Sequence, residues 1–408
     1  MKSGTSFLLA ARQCEIAELE QLARTGELVG VIGRFVHALQ RERGIANIFL
    51  SSRGARFADQ RLHQVAACQA AEQEVRAAFE QFDTRDQHVR NGSRLFSRVA
   101  VVLHALDGLP ELRARIDVQS LGAAEATAAF GKLVAGLLAV VFEAADAATD
   151  PEISRALVAL FNFMQGKEFA GQERAFGARA FAAGQIDAAG QQQWQHLVAS
   201  QQGCFDVFTD FSDAEVLQAE RTSQDAAALA RIERLRRIGC SGDSGVLDPE
   251  LSQVWYEHCT RRIDGMKAVE DLLATRLRLL CEHRIAQARA ELRDQRAMLD
   301  ALASQARAAD AGGPTPYGPH LERSILAMVQ EQSRRLQSMS DELEEVRASL
   351  NERKVVERAK GLLMAHRHMS EDEAYKALRQ MAMNQNRRIA DVAGAVLSLA
   401  DVLPGSGR

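Results

Sequence analysis

The sequence predicts an all-α protein: two four-helix-type bundles, a coiled-coil linker helix and a C-terminal three-helix module. Three observations carry that prediction. Apolar residues recur at three- and four-residue steps along almost the whole chain, and no segment keeps the period-two alternation of a strand. Aromatic residues make up 5% of the chain against 47% hydrophobic residues in total, which suits helices packed through Ala and Leu. Asp-Pro pairs at 150–151 and 248–249 mark helix starts, and three of the 7 prolines fall in one linker.

The 408 residues leave room for two or three domains. The net charge of −4 gives no general attraction to polyanions. The six cysteines are scattered with no CxxC pair, as expected of reduced thiols in a cytoplasmic protein. No signal peptide is evident at Phe7 to Ala11, and no apolar run is expected to span a bilayer; Leu133 to Phe142 reads as a buried helix. P-loop, HExxH, GxSxG and GxGxxG motifs and paired ExxH sets are missing, so no catalytic residue, metal ligand or cofactor is assigned and no enzyme is expected. His366 and His368 lie two apart and point to different sides of a helix, reading as a solvated end.

Taken in order, the first helix is expected from Thr5 to Arg24, ended by Thr25-Gly26, and the next from Glu27 to Ser52. Helices follow at Ala58 to Phe82 and Ser93 to Leu106, then a turn at Gly108-Leu109-Pro110, then a helix over Ser120 to Ala148. Asp150 caps a helix whose seam is Ile153, Leu157, Leu160, Met164, Lys167, Gly171, Arg174, Ala178 and Phe181. Helices at Ala188 to Phe208 and Asp213 to Ile238 come next, and Asp248-Pro249 opens a long one reaching about Ala308. Residues 309–320, DAGGPTPYGPH at their heart, form a linker. Leu321, Ile325, Met328, Gln332, Leu336, Met339, Leu343, Val346 and Leu350 then make a heptad seam with one stutter, either pairing two chains or lying on the bundle.

Two seams break their own rule. In QRERG, Glu42 and Arg43 occupy core positions of the second helix; in GQERAFG, Glu173 and Arg174 do so, with Lys167 two turns earlier. The echo reads as a weak internal duplication. Arg236 sits on an apolar row of a third helix, with Arg234 and Arg237 competing for the place. A buried charge costs several kcal/mol unless paired or ligated. Neutralisation by Glu42, Glu173 and Glu233, or snorkelling of the heads, would each satisfy the arginines. An anion would too. Two guanidinium groups ~6 Å apart repel by about 3 kcal/mol at an effective dielectric of 20, and an anion between them reverses the sign.

Residues 351–403 read as three helices. Val355, Val356, Ala359, Leu362 and Leu363 lie along the first. Ser370 and Glu373 form a capping box for the second, which carries Ala374, Ala377, Leu378 and Met381 inward. Ile389, Val392, Ala393 and Val396 lie along the third. Glu357, Ala359-Lys360-Gly361, Leu363-Met364, Ser370, Glu373-Ala374-Tyr375, Leu378-Arg379, Ala382, Asn386, Val392 and Ala393 together resemble the ANTAR output module of bacterial antiterminators. That resemblance implies a module that binds a hairpin in leader RNA, with contacts from Lys360, Arg379 and the surface around Ala359, Gly361, Ala374 and Tyr375. A DNA-binding regulator is the alternative for a small three-helix module.

Residues from about Glu27 to Ala274 resemble the nitrate- and nitrite-sensing (NIT) domain, most closely in QRERG and GQERAFG. The resemblance implies an all-helical domain with a nitrate or nitrite pocket lined by arginines. Arg43 and Arg174 are the leading candidates, then Arg236 and Arg237, with Arg41 in support. A guanidinium offers the planar paired donors that a planar monoanion matches. The expected organisation is a NIT domain at 27–308, a linker at 309–320, a coiled-coil helix at 321–350 and an ANTAR domain at 351–403. Expected partners are leader RNA, nitrate or nitrite, a second copy of the chain and RNA polymerase, with no membrane.

Overall fold

The computed structural model describes residues 4–81, 92–241, 245–310, 319–367, 369, 371–385 and 387–402. They form thirteen α-helices, and the chain divides into two compact units, residues 1–331 and 332–408.

The first unit opens with α1 (Gly4–Ser51), one continuous helix where the sequence suggested a stop at Thr25-Gly26. A glycine inside a helix costs about 1 kcal/mol relative to alanine. Burial of Leu22, Leu28 and Val29 on either side is worth more than that, and Thr25 Oγ1 bonds back to the Gln21 carbonyl at 3.0 Å. α2 (Ala58–Glu80) and α3 (Gly92–Asp107) follow. The expected turn at Gly108–Pro110 is instead the start of a further helix, α4 (Leu109–Asp117), with Pro110 in its first turn, where a missing N–H is harmless. α5 (Ala123–Ala147) is long and apolar enough to cross a membrane by length and composition, contrary to expectation. It lies instead in the first bundle, against α1, α3 and α6, with Glu143 and Asp146 buried among its apolar residues.

α6 (Pro151–Ala183) begins as expected, with the Asp150 carboxylate accepting from the Ile153 N–H at 3.0 Å. α7 (Ala188–Phe211) is capped by Asp187. The expected helix from Asp213 is broken in two, α8 (Ala214–Ser223) and α9 (Ala226–Ser241), because Asp225 accepts from the Ala227 and Ala228 N–H groups and caps a new helix. α10 (Leu251–Asp310) runs for 60 residues. Its start packs Trp255 with Trp194 and Phe181 into the core of the second bundle.

α1, α6 and α10 join the two bundles. Arg43 reaches Glu168, and Gly33 faces Met164, so α1 and α6 run parallel. Gly44 faces Tyr256, Gly33 faces Glu270, Gly26 faces Leu277, and Arg12 pairs with Glu291, so α10 runs antiparallel to α1 over most of their length.

The second unit contains most of α11 (Pro319–Arg367), then α12 (Glu371–Gln385) and α13 (Ile389–Val402). The coiled-coil seam and the first helix of the C-terminal module are thus one helix. Leu343, Val346 and Leu350 are buried along it, while Leu336 is exposed. Val356, Ala359, Leu363, Ala374, Leu378 and Ala393 form the core of the module. Ser370 and Asn386, on which part of the sequence reading rests, lie outside the described residues, as do 311–318 of the linker.

Candidate functional site

The inward charges of QRERG and GQERAFG meet at the crossing of α1 and α6. Most are neutralised across helices rather than by neighbours on their own helix. Glu42 accepts both bonds of a bidentate pair from Arg113 of α4, at 2.8 and 2.9 Å. Glu173 does the same with Arg236 of α9, at 2.7 and 2.6 Å, and also takes bonds from Trp194 Nε1 and Gln201 Nε2. Burial pushes the Glu173 carboxyl up, but these donors outweigh it and hold the group below the usual carboxylate range. Arg43 donates to Glu168 at 2.6 and 3.1 Å, and Gln40 and Gln172 complete the shell of that carboxylate. A Cβ on Gly171 would lie 2.8 Å from Arg43 Nη2, so the glycine makes room for the pair.

Arg174 is different. It is 4% exposed, and among the described residues no carboxylate lies within ion-pair distance of it. Its guanidinium donates from Nη1 to Thr260 Oγ1 at 3.0 Å and from Nη2 to the Gln40 carbonyl at 3.3 Å, and it stacks on the Tyr256 ring 4.9 Å away. Nε is buried without a partner. Of five guanidinium donors, two are used. Gly44 gives the group space: a Cβ there would stand 2.9 Å from Arg174 Nη2 and 3.0 Å from Tyr256 Oη. The Arg174 carbonyl accepts from Trp255 Nε1 at 3.0 Å, which ties this turn of α6 to α10.

The other sequence candidates have other surroundings. Arg43 and Arg236 carry the internal counter-ions just described, and Arg236 also pairs with Glu233. Arg41 and Arg237 are exposed. Lys167, wholly buried, lies 2.5 Å from Glu270 of α10. Sequence reading missed Tyr256, Thr260 and the Gln40 carbonyl. Tyr256 and Thr260 lie at ordinary positions of a helix that begins more than 70 residues after Arg174, and nothing local marks them. His37 of α1 is neutral: burial, then Lys167, Lys267, Arg41 and Arg174, lower its pKa to about 3.

In the C-terminal module, Ala359 and Ala374 are wholly buried between helices, so they belong to the core and not to a contact surface. Lys360 lays most of its stem inside and points its ammonium over the Tyr375 ring, 6.0 Å from the centroid. Gly361 faces open space, and Arg379 is half-buried.

Comparison with known proteins accords with both units. The nitrate and nitrite sensing (NIT) family matches residues 34–278, and the ANTAR domain family matches residues 344–397. A nitrate regulatory protein of Klebsiella oxytoca is 34% identical over 392 residues, 95% of this chain and 93% of that protein. The solved structure of the NasR transcription antiterminator is 33% identical, with a TM-score of 0.61 over 97% of this chain and 98% of that one. The chain therefore belongs to the NIT–ANTAR family of nitrate-responsive transcription antitermination regulators.

Proposed function

We propose that nitrate, or nitrite, binds at Arg174 between α1, α6 and α10 and that its binding governs how the ANTAR module engages a hairpin in leader RNA. The observation that carries the reading is a buried guanidinium with no carboxylate partner, beside three that have one. A monoanion with planar oxygens can take the unused donors of Arg174. The Tyr256 ring lies over the guanidinium, 4.9 Å from it. Both α10 side chains at the site, Tyr256 and Thr260, sit near the start of that helix, so an anion drawn to Arg174 pulls on α10.

α10 is the last helix before α11 in the chain, and the C-terminal half of α11 is the first helix of the RNA module. A shift of α10 is the route from anion to RNA. Driving such a switch from 1:99 to 99:1 needs about a 10⁴-fold preference of nitrate for one state. The chain acts in the cytoplasm as a homodimer, and the RNA-bound form contacts RNA polymerase. No cofactor enters this scheme, and no catalytic step is part of it.

Titration calorimetry with nitrate tests the site. The wild-type chain gives a binding isotherm in chloride buffer, and Arg174→Ala gives none; equal isotherms would overturn the assignment. A gel shift with a leader RNA hairpin and with duplex DNA of the same sequence separates RNA from DNA binding.

A further inference from the structure

The duplication accounts for the missing counter-ion of Arg174. Glu42-Arg43 of α1 corresponds to Glu173-Arg174 of α6. Each glutamate of this pair takes a bidentate bond from an arginine of its own bundle, Arg113 or Arg236. Each arginine crosses to the opposite helix. Arg43 reaches the turn of α6 that holds Glu168 and Gly171; Arg174 reaches the turn of α1 that holds Gln40, the counterpart of Gly171. The carboxylate that neutralises Arg43 lies six residues before Arg174 (174 − 6 = 168). Six residues before Arg43 (43 − 6 = 37) stands His37.

We propose that His37 is the specificity-determining residue of the anion site: it replaces, by a neutral imidazole, the carboxylate that the duplication would set against Arg174, and so keeps that place for an external monoanion. Three further observations support it. The His37 Nδ1 is buried and unpartnered, as is Arg174 Nε. Lys167 and Lys267, both paired with Glu270, and Arg41 lie within electrostatic reach of the ring, as does Arg174 itself. His37, Gln40 and Gly44 lie on one face of α1, and two of the three already touch Arg174.

The inference rests on the assignment of nitrate to Arg174 and names what makes that arginine available. His37→Glu would place an internal carboxylate against Arg174, as Glu168 stands against Arg43. Titration calorimetry with sodium nitrate, and gel shifts with a leader RNA hairpin, test it on the full chain. His37→Glu is expected to weaken nitrate binding at least about 100-fold and to make RNA binding independent of nitrate. His37→Gln, polar and neutral, is expected to lose no more than about tenfold and to keep the nitrate response. If His37→Glu fails to fold, the exchanged pair His37→Glu with Glu168→His tests the same claim. It moves the unneutralised arginine from position 174 to position 43, so nitrate binding returns and becomes sensitive to Arg43→Ala. Nitrate binding by His37→Glu at wild-type strength, equal losses in the Glu and Gln variants, or no binding by the exchanged pair would each overturn the inference. Loss in Arg174→Ala with retention in His37→Glu removes this inference alone; no binding by the wild type, or full binding by Arg174→Ala, removes the site reading beneath it.

Discussion

Arg43 and Arg174 look alike in sequence, and the structure gives them opposite energetics. Removing the Arg43 side chain leaves Glu168 as a buried carboxylate whose remaining donors are neutral amides. Breaking a buried pair from one side costs about 3–5 kcal/mol. Removing Arg174 strands no carboxylate. It loses two bonds to neutral oxygens, and it also relieves a buried charge that has no counter-ion, so the change in stability stays within about 1 kcal/mol. The assay is urea unfolding in nitrate-free chloride buffer, followed by tryptophan fluorescence. Trp194 and Trp255 are the chain's 2 tryptophans and both lie in the core of the second bundle, so the signal reports on the first unit alone. With a slope of about 3 kcal/mol per molar urea, a 4 kcal/mol loss lowers the Arg43→Ala midpoint by roughly 1.3 M. The Arg174→Ala midpoint stays within roughly 0.3 M of wild type by the same slope. Equal, large falls in both would refute the distinction between a neutralised and an available arginine.

Three other predictions follow from the same geometry. His37 has its pKa lowered from 6.5 to about 3, so the unfolded chain binds a proton that the folded one does not as pH falls through that window. Stability is therefore fully present above pH 6.5 and falls toward pH 3, with a slope of up to about 1.4 kcal/mol per unit. Denaturation series for wild type and His37→Gln at several pH values check this, and identical slopes would contradict it. The buried Lys167–Glu270 pair is replaceable: the double variant Lys167→Met, Glu270→Met melts at or above wild type, a gain of up to about 1–4 kcal/mol, whereas Lys167→Met alone destabilises. Gly361 meets open space, so Gly361→Ala raises the stability of the ANTAR unit by about 1 kcal/mol, read by circular dichroism melting, while Gly361→Trp lowers RNA affinity if that face meets RNA.

The helices themselves were legible because apolar spacing and Asp-Pro starts are local signals. The errors were local too. Thr25-Gly26 reads as a stop until Leu277 of α10, to which Gly26 is packed, is known to cover it, and Asp225 caps a new helix from inside an apolar row. Sequence also identified the anomalous charges at 42, 43, 167, 173 and 174. It could not assign their partners, because Arg113, Glu168 and Glu270 come from other helices 71 to 125 residues away or from a separate seam. The sequence therefore placed Arg43 and Arg174 on equal terms as leading anion ligands, with Arg236 behind them, and cross-helix geometry separates the first two. Ala359 and Ala374 misled for a related reason: small residues in a family motif suit a close backbone contact on a surface and a tight helix crossing equally well, and here they form the crossing.

The most direct test is the binding of the full chain to a leader RNA hairpin with and without millimolar nitrate, chloride serving as the control ion. The account predicts a nitrate-dependent change in RNA affinity in the wild type that disappears in Arg174→Ala while that variant stays folded by tryptophan fluorescence. RNA binding indifferent to nitrate in the wild type, or a full nitrate response in Arg174→Ala, would contradict it.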